Sequence, residues 1–294
     1  MAVFGVAGGC AVTHRRDLER HRDGLSQIRE IMNSMKTLAY METRKLSRFL
    51  AAQQAVVQSI DEAATDFVSY FPQTLPEAKT GLTVYLVIGT ERGFCGNFNH
   101  ILVEQLDPTL IDPHASGTAI IAVGHKLHGL LQEDVRLAAA IDGASTTEEV
   151  TSILNKIVTE LSSLQNIYGA VELYCCSHGN NDEIVTQKLL PSFQHHLHQR
   201  PQHHHPPVLN LPAEDFLVEL TEQYLFAVLH EILYTSLMQE NDHRVAHLER
   251  AVRRLDEEAE DLTRKCNALR QEEIVEEIEV ILLSASSLVN RPGH

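Results

Sequence analysis

The chain has 294 residues, 44% hydrophobic and 22% charged, enough to bury a core in one large or two ordinary domains and too apolar for a disordered tail. Acidic residues outnumber basic ones 40 to 24, for a formal charge of −16, which disfavours a general nucleic-acid surface built on clustered Lys and Arg. Cys10, Cys95, Cys175, Cys176 and Cys266 contain no CxxC spacing and are odd in number, so neither a disulfide framework nor a cysteine zinc site is expected and a reducing compartment fits.

The stretch ending at Cys10 has the outline of a lipoprotein cleavage box, but without a positive n-region and with too short an apolar core, so no processed signal is expected. From Leu18 the apolar residues recur in sevens: Leu18, Leu25, Met32, Ala39, Leu46, then Ile60 and Phe67, with Gln53 interrupting. A second row through Ile28, Met35, Phe49, Val56 and Ala63, broken by Glu42, completes a narrow seam on one long helix. No Gly or Pro falls between Leu25 and Phe71, and Pro72 and Pro76 mark its end.

The middle of the chain alternates strand-like and helix-like runs. Thr83 to Ile88, Thr118 to Val123 and Ala170 to Cys175 are predicted as buried parallel strands, and Asn99 to Leu106, Lys126 to Gln132 and Thr147 to Leu164 as helices, a small doubly wound, Rossmann-like α/β domain. Leu189, Leu190 and Pro191 close it. A His- and Pro-rich tract then reads as a solvated surface loop.

Nothing between Ala213 and Val289 is Gly or Pro, which predicts a second helix of roughly 110 Å at the usual rise. Its seam runs Leu248, Leu255, Leu262, Leu269, then shifts by five to Ile274, Ile281, Leu288. The pairs Glu260/Arg264 and Asp261/Lys265 are expected to support an exposed face, so the acidic run from Asp256 to Asp261 is a solvated surface rather than a metal site. So thin a stripe needs a partner helix, and the N-terminal helix pairing antiparallel is the simplest one. The expected fold class is therefore an α+β composite, a long antiparallel two-helix coiled coil with an inserted α/β domain. The expected boundaries are 14–76 for the first helix, 80–194 for the insertion, 195–212 for the loop and 213–289 for the last helix. No run reaches the roughly 18 apolar residues of a membrane span, so membrane association is expected only through partners.

Candidate chemistry is sparse. Gly89, Gly93 and Gly96 follow the first strand with a GxxxGxxG spacing that matches neither GxGxxG nor GxxxxGK[ST], so a tight strand-to-helix turn is expected rather than a phosphate cradle, with Arg92 able to meet an anion. Cys95 beside Arg92 has no placed partner base, His100 being the nearest histidine, and a buried structural thiol is expected. His195, His196, His198, His203, His204 and His205 could take up zinc or nickel adventitiously, without fixed ligand spacing. No catalytic constellation, cofactor site or dedicated metal site emerges.

Three stretches, in order, carry a resemblance: Ser34 to Leu46, rich in Met, Ala and Lys and ending in Lys-Leu; Thr90 to Asn99, containing Glu-Arg-Gly-Phe-Cys-Gly and then Phe-Asn; and Tyr224 to Arg244 followed by Asn267-Ala-Leu-Arg-Gln271. On these the chain resembles the gamma subunit of F-type ATP synthases, over nearly its whole length. The resemblance implies a rotor shaft that performs no bond chemistry and binds no cofactor. It implies partners in the alpha and beta subunits of the catalytic ring, the epsilon subunit and the membrane c-ring, and a peripheral place on the cytoplasmic side of the bacterial inner membrane. By motif position it places Arg270, Gln271, Lys36 and Leu38 at contacts with the catalytic ring. It makes Arg92, Gly93, Cys95, Gly96 and Asn99 a structural turn of the inserted domain. Departures from the family pattern are Leu38 for a common Met, Val275 for a Thr, and Ser284-Ala285 for a Gly-Ala pair; they leave open a divergent or alternative-operon copy. The helices alone would also allow a stand-alone coiled-coil adaptor, and the middle segment a nucleotide-using α/β enzyme.

Overall fold

The computed structural model describes residues 6–76, 81–106, 117–179, 183–199, 201, 203 and 205–289. The first half of the stretch ending at Cys10, residues 1–5, and His204 within the histidine tract lie outside what it describes. In chain order the elements are α1 (Val6–Tyr70), β1 (Leu82–Ile88), α2 (Phe98–Gln105), β2 (Thr118–Val123), α3 (His125–Leu131), β3 (Leu137–Ile141), α4 (Val150–Tyr168), β4 (Val171–His178), β5 (Ile184–Leu190) and α5 (Ala213–Val289). α1 stops just before Pro72, where proline would interrupt the helical hydrogen-bond ladder, and α5 starts just after Pro212, where a missing N–H costs no helical bond. The chain divides into two compact units, residues 1–37 with 248–294, and residues 38–247.

The first unit pairs the start of α1 with the end of α5. Arg15 bonds Glu273 at 3.0 Å, His21 faces Glu258 at 3.5 Å and Arg29 pairs with Asp256, so ascending positions on one helix meet descending ones on the other and the pair is antiparallel. Its buried apolar positions are Leu25 on α1 and Leu248, Val252, Leu262 and Cys266 on α5. The predicted row of sevens on α5 is therefore correct as far as Leu269, but its companion row is Val252, Ala259 and Cys266, four residues on. The expected continuation through Ile274 and Ile281 is not a covered seam among the described residues. Seven apolar residues from Ile274 to Leu283 stand 47% to 67% exposed.

The second unit is a five-stranded sheet of order β3-β2-β1-β4-β5, with four parallel strands and β5 antiparallel to β4. β1 reads LTVYLVI because a central parallel strand is covered on both faces and has no side to give to polar residues. One face, through Val84, Leu86, Ile121 and Leu173, packs under α4 and against Leu46, Phe67 and Val68 of α1 and Val228, Leu229 and Leu233 of α5. The other face, through Val87, Ile120 and Ala122, is covered by Phe98 and Leu102 of α2 and Leu127 and Leu131 of α3. Here too α1 and α5 run antiparallel, since Thr43 bonds Asp242 and the Gln53 amide donates to the Ala227 carbonyl.

On α1 the predicted first row is buried or half-buried from Leu18 to Phe67, but Ile28, Phe49, Val56 and Ala63 of the predicted second row are exposed. The companion row lies at Thr43, Leu50, Val57 and Ala64, one residue further round, so the seam alternates four and three rather than three and four. Arg264 pairs with Asp261 rather than with the expected Glu260. Two strands, β3 and β5, were not among the predicted elements.

Candidate functional site

The turn after β1 is built by side chains that hold backbone. Gly89 admits no side chain, since a Cβ there would lie 2.6 Å from Asn99 Oδ1 and 2.7 Å from Leu127 Cβ. Asn99, one residue into α2, reaches back to that crossing: its Oδ1 accepts the Thr90 N–H at 2.9 Å and its Nδ2 donates to Thr90 Oγ1 at 2.8 Å. The chain then doubles back with Phe94 at φ 66° and Gly96 at φ 64°, the left-handed region that glycine occupies without strain. Gly93 is under no such constraint, since the space around it is open; its carbonyl, which any residue would supply, accepts the Arg244 Nε–H at 3.2 Å.

Two carboxylates occupy the places where an anion would be expected. Glu91 Oε2 accepts the N–H of His125, opening α3, at 2.9 Å, and that of Gly143 at 2.6 Å. Glu240, on α5 and 3% exposed, takes long contacts of 3.4 Å from the N–H groups of Glu91 and Arg92. Backbone amides that a nucleotide phosphate would need are thus turned toward the chain's own carboxylates, and the turn is no phosphate cradle.

Glu240 is buried together with Arg244, one helical turn on, and the two form an ion pair. Arg244 also donates to Asn241 Oδ1 at 2.7 Å, while Asn241 Nδ2 donates to the Leu237 carbonyl. Burial pushes the Glu240 carboxyl above the usual range, and Arg244 and the two turn amides pull it back. The cluster fixes the turn to α5 through a guanidinium that is engaged at each of its three nitrogens. In the sequence Glu240 and Arg244 stand out only as part of the stretch Tyr224 to Arg244. Their spacing of four is that of many solvated pairs, such as Glu249 and Arg253; what separates them is the distant turn that they meet.

The other predicted residues fall as follows. Cys95 is buried, its Sγ against the carbonyls of Arg92 and Gly93, and burial pushes its pKa up to about 12 although Arg244 acts in the opposite direction. It is not poised as a nucleophile, because almost no thiolate exists at neutral pH. Arg92 is exposed and gives its Nε–H to Ser145 Oγ at 2.9 Å. Lys36 is half-buried in the first unit, where Arg270 and Gln271 are exposed, and Leu38 of the second unit is 67% exposed beside exposed Tyr40 and Met41.

The histidine tract departs from its predicted solvated state at His196, while His195, His203 and His205 are exposed as expected. His196 lies in a 3₁₀ turn, Gln194–His198, and is completely buried, its ring held between Asp61 and Thr65 of α1. His203 pairs with Asp66 and its carbonyl accepts the Tyr70 hydroxyl, so this part of the tract is docked on α1.

Long antiparallel helices bearing a five-stranded, mostly parallel sheet, whose glycine turn is filled by the chain's own carboxylates, define a helical carrier with an α/β module rather than a nucleotide enzyme. A chain in the structure of the Euglena gracilis mitochondrial ATP synthase, OSCP/F1/c-ring in rotational state 3, has this fold with a TM-score of 0.59 at 16% identity, covering 96% of this chain and 97% of that one. A chain in the central stalk and c-ring structure of the Tetrahymena thermophila mitochondrial ATP synthase gives a TM-score of 0.54 at 19% identity, over 75% of this chain and 99% of that one. The ATP synthase gamma chain of Lactococcus lactis is 25% identical over 88% of this chain and 93% of its own length. That of Mycoplasmoides gallisepticum is 24% identical over 92% and 98%. The family described as ATP synthase matches residues 14–288, and the chain belongs to it as a gamma-type member.

Proposed function

We infer that this chain is the central-stalk rotor subunit of an F-type ATP synthase, transmitting torque between a membrane c-ring and a catalytic ring during proton- or sodium-coupled ATP synthesis or hydrolysis. It is not an enzyme by itself. The observation that carries the reading is the run of apolar residues from Ile274 to Leu283, left exposed on α5 among the described residues of a member of the ATP synthase family. An apolar run of this length on a charged helix calls for an enclosing partner.

Within this reading, residues 14–76 and 213–289 act as an antiparallel coiled coil, residues 80–194 as the inserted Rossmann-like domain and 195–212 as the connecting loop. Arg270, Gln271, Lys36 and Leu38 face the alpha and beta subunits, and the turn of Arg92, Gly93, Cys95, Gly96 and Asn99 serves only to set the inserted domain on α5. The inserted domain meets the epsilon subunit and the c-ring. The assembly lies on the cytoplasmic side of a bacterial inner membrane, held there through partners. No helix among the described residues is long and apolar enough to cross a membrane itself. A shaft that touches three chemically equal catalytic sites differently biases their conformations by its angle, which couples rotation to chemistry.

The test is copurification. A tagged chain expressed in its own cell should bring down catalytic-ring and c-ring subunits in a complex with ATPase activity. Recovery as a soluble homodimer without them would favour an adaptor and overturn the assignment.

A further inference from the structure

Asp61 of α1 and His195 and His196 of the 3₁₀ turn each offer one ligating atom, and the three atoms lie within 4.8 Å of one another. We propose that these side chains bind a late first-row divalent cation of the zinc class, fastening the histidine tract to α1.

The argument begins at the buried ring of His196. Thr65 spends its hydroxyl hydrogen on the Asp61 carbonyl at 2.9 Å, so it meets His196 Nδ1, also at 2.9 Å, as an acceptor. Gln199 Oε1 is a second acceptor, 3.0 Å from the same nitrogen. With the ring proton on Nδ1, toward these two acceptors, the imidazole has the outer hydrogen bond that orients a metal-binding histidine. The lone pair of Nε2 then points at Asp61 Oδ1, itself an acceptor, only 3.0 Å away. In that tautomer two acceptors stand 3.0 Å apart, and a cation, a proton or a metal ion, is needed between them.

The surroundings favour the metal. His195 brings a second imidazole, its Nε2 4.0 Å from the same carboxylate oxygen and its ring centre 3.9 Å from that of His196. Zinc bonds of about 2.0–2.1 Å in a tetrahedral set place ligand atoms about 3.4 Å apart, a value that the 3.0 and 4.0 Å separations bracket. The exposed His195 ring can turn to close the difference. Asp61 and His195 line a cavity of about 420 Å³ with Glu231 on its wall, giving room for water as a fourth ligand. Lys188 lines the same cavity, but its ammonium is engaged by Glu172 at 3.1 Å. Two imidazoles and one carboxylate, without a thiolate, suit Zn²⁺, Co²⁺ or Ni²⁺ and not Mg²⁺ or Ca²⁺.

The proposal stands apart from the rotor reading and is tested on the purified full chain by titrating Zn²⁺ in a calorimeter, with the visible spectrum of added Co²⁺ as a second probe. One site is expected. Asp61→Asn and His195→Ala, at partly exposed positions and checked for an unchanged thermal melt, should each weaken it about tenfold or more. A variant with His203, His204 and His205 all changed to Gln should retain it. Zn²⁺ affinity that survives Asp61→Asn and disappears in the triple variant would assign the metal to adventitious capture by the tract and overturn the proposal. So would a chain with no single-site Zn²⁺ binding, which would leave a proton between His196 and Asp61.

Discussion

The Arg244 guanidinium is shared between the Glu240 carboxylate, four residues back on α5, and the Gly93 carbonyl in the turn after β1. That one side chain ties the most distinctive motif of the inserted sheet to the C-terminal helix, in surroundings where neither charge reaches water.

Removing one member of such a pair leaves the other charge buried and unpaired. Arg244→Met is expected to cost about 3–5 kcal/mol, read as a lowered midpoint in urea denaturation of the chain. Replacing both partners, Glu240→Met with Arg244→Leu, should recover much of the loss. A single variant as stable as the double would show that the pair is not the clamp described.

Cys95 should be chemically quiet. With its pKa pushed up to about 12 by burial, and the thiols of Cys175 and Cys176 raised for the same reason, the native chain at neutral pH should resist iodoacetamide at all three positions. Mass spectrometry of tryptic peptides checks this, with the urea-unfolded chain as the labelled control. In the assembled enzyme Cys95→Ala should support ATP synthesis at a rate close to that of the unaltered protein.

Acid sensitivity should have a component at Asp134, whose carboxylate accepts the Arg136 N–H and Nε–H at 2.9 Å each and an Nη2–H at 2.6 Å. These bonds, led by those from the Arg136 side chain, hold its pKa below the usual carboxylate value against the opposing effect of burial. A depressed folded-state pKa contributes stability that is fully present above the unfolded-state value near about 3.9 and is lost as the pH falls through the folded one. Asp134→Asn should therefore be less stable than the parent at neutral pH, and the gap should close below about pH 4. A gap independent of pH in denaturant titrations would mean that the ionised carboxylate contributes nothing.

What could be read in the sequence, and what could not, follows from which signals are local. The uninterrupted run from Ala213 to Val289 and the apolar β1 announce a helix and a buried strand by themselves, and both are present. The companion row on α1 was misplaced because Ile28, Phe49 and Val56 look like core by composition, whereas the side that is covered carries Thr43, Leu50, Val57 and Ala64. β3, written LAAAI, has little β-propensity, and β5 is interrupted by three consecutive polar residues, Thr186, Gln187 and Lys188, so each of these edge strands forms only through its neighbour. The burial of Glu240, Arg244 and His196 depends on partners distant in sequence: Gly93 for Arg244, the turn amides for Glu240 and Asp61 for His196. No window around those residues contains that information.

The exposed Arg270 and Gln271 should matter to coupling and not to folding. Changing both to Ala should leave the thermal melt of the chain within about 1 °C, as expected for solvent-facing positions. In the assembled enzyme the double variant should lower ATP synthesis relative to ion flow. Unaltered synthesis would remove these two residues from the contact with the catalytic ring.

The most direct measurement of the central claim is rotation. With the catalytic ring fixed to a surface and a fluorescent or colloidal probe attached to the inserted domain, the chain should turn in one direction while ATP is hydrolysed and stop when ATP is withdrawn. A probe that stays still while the complex hydrolyses ATP at its full rate would contradict the assignment of this chain as the shaft.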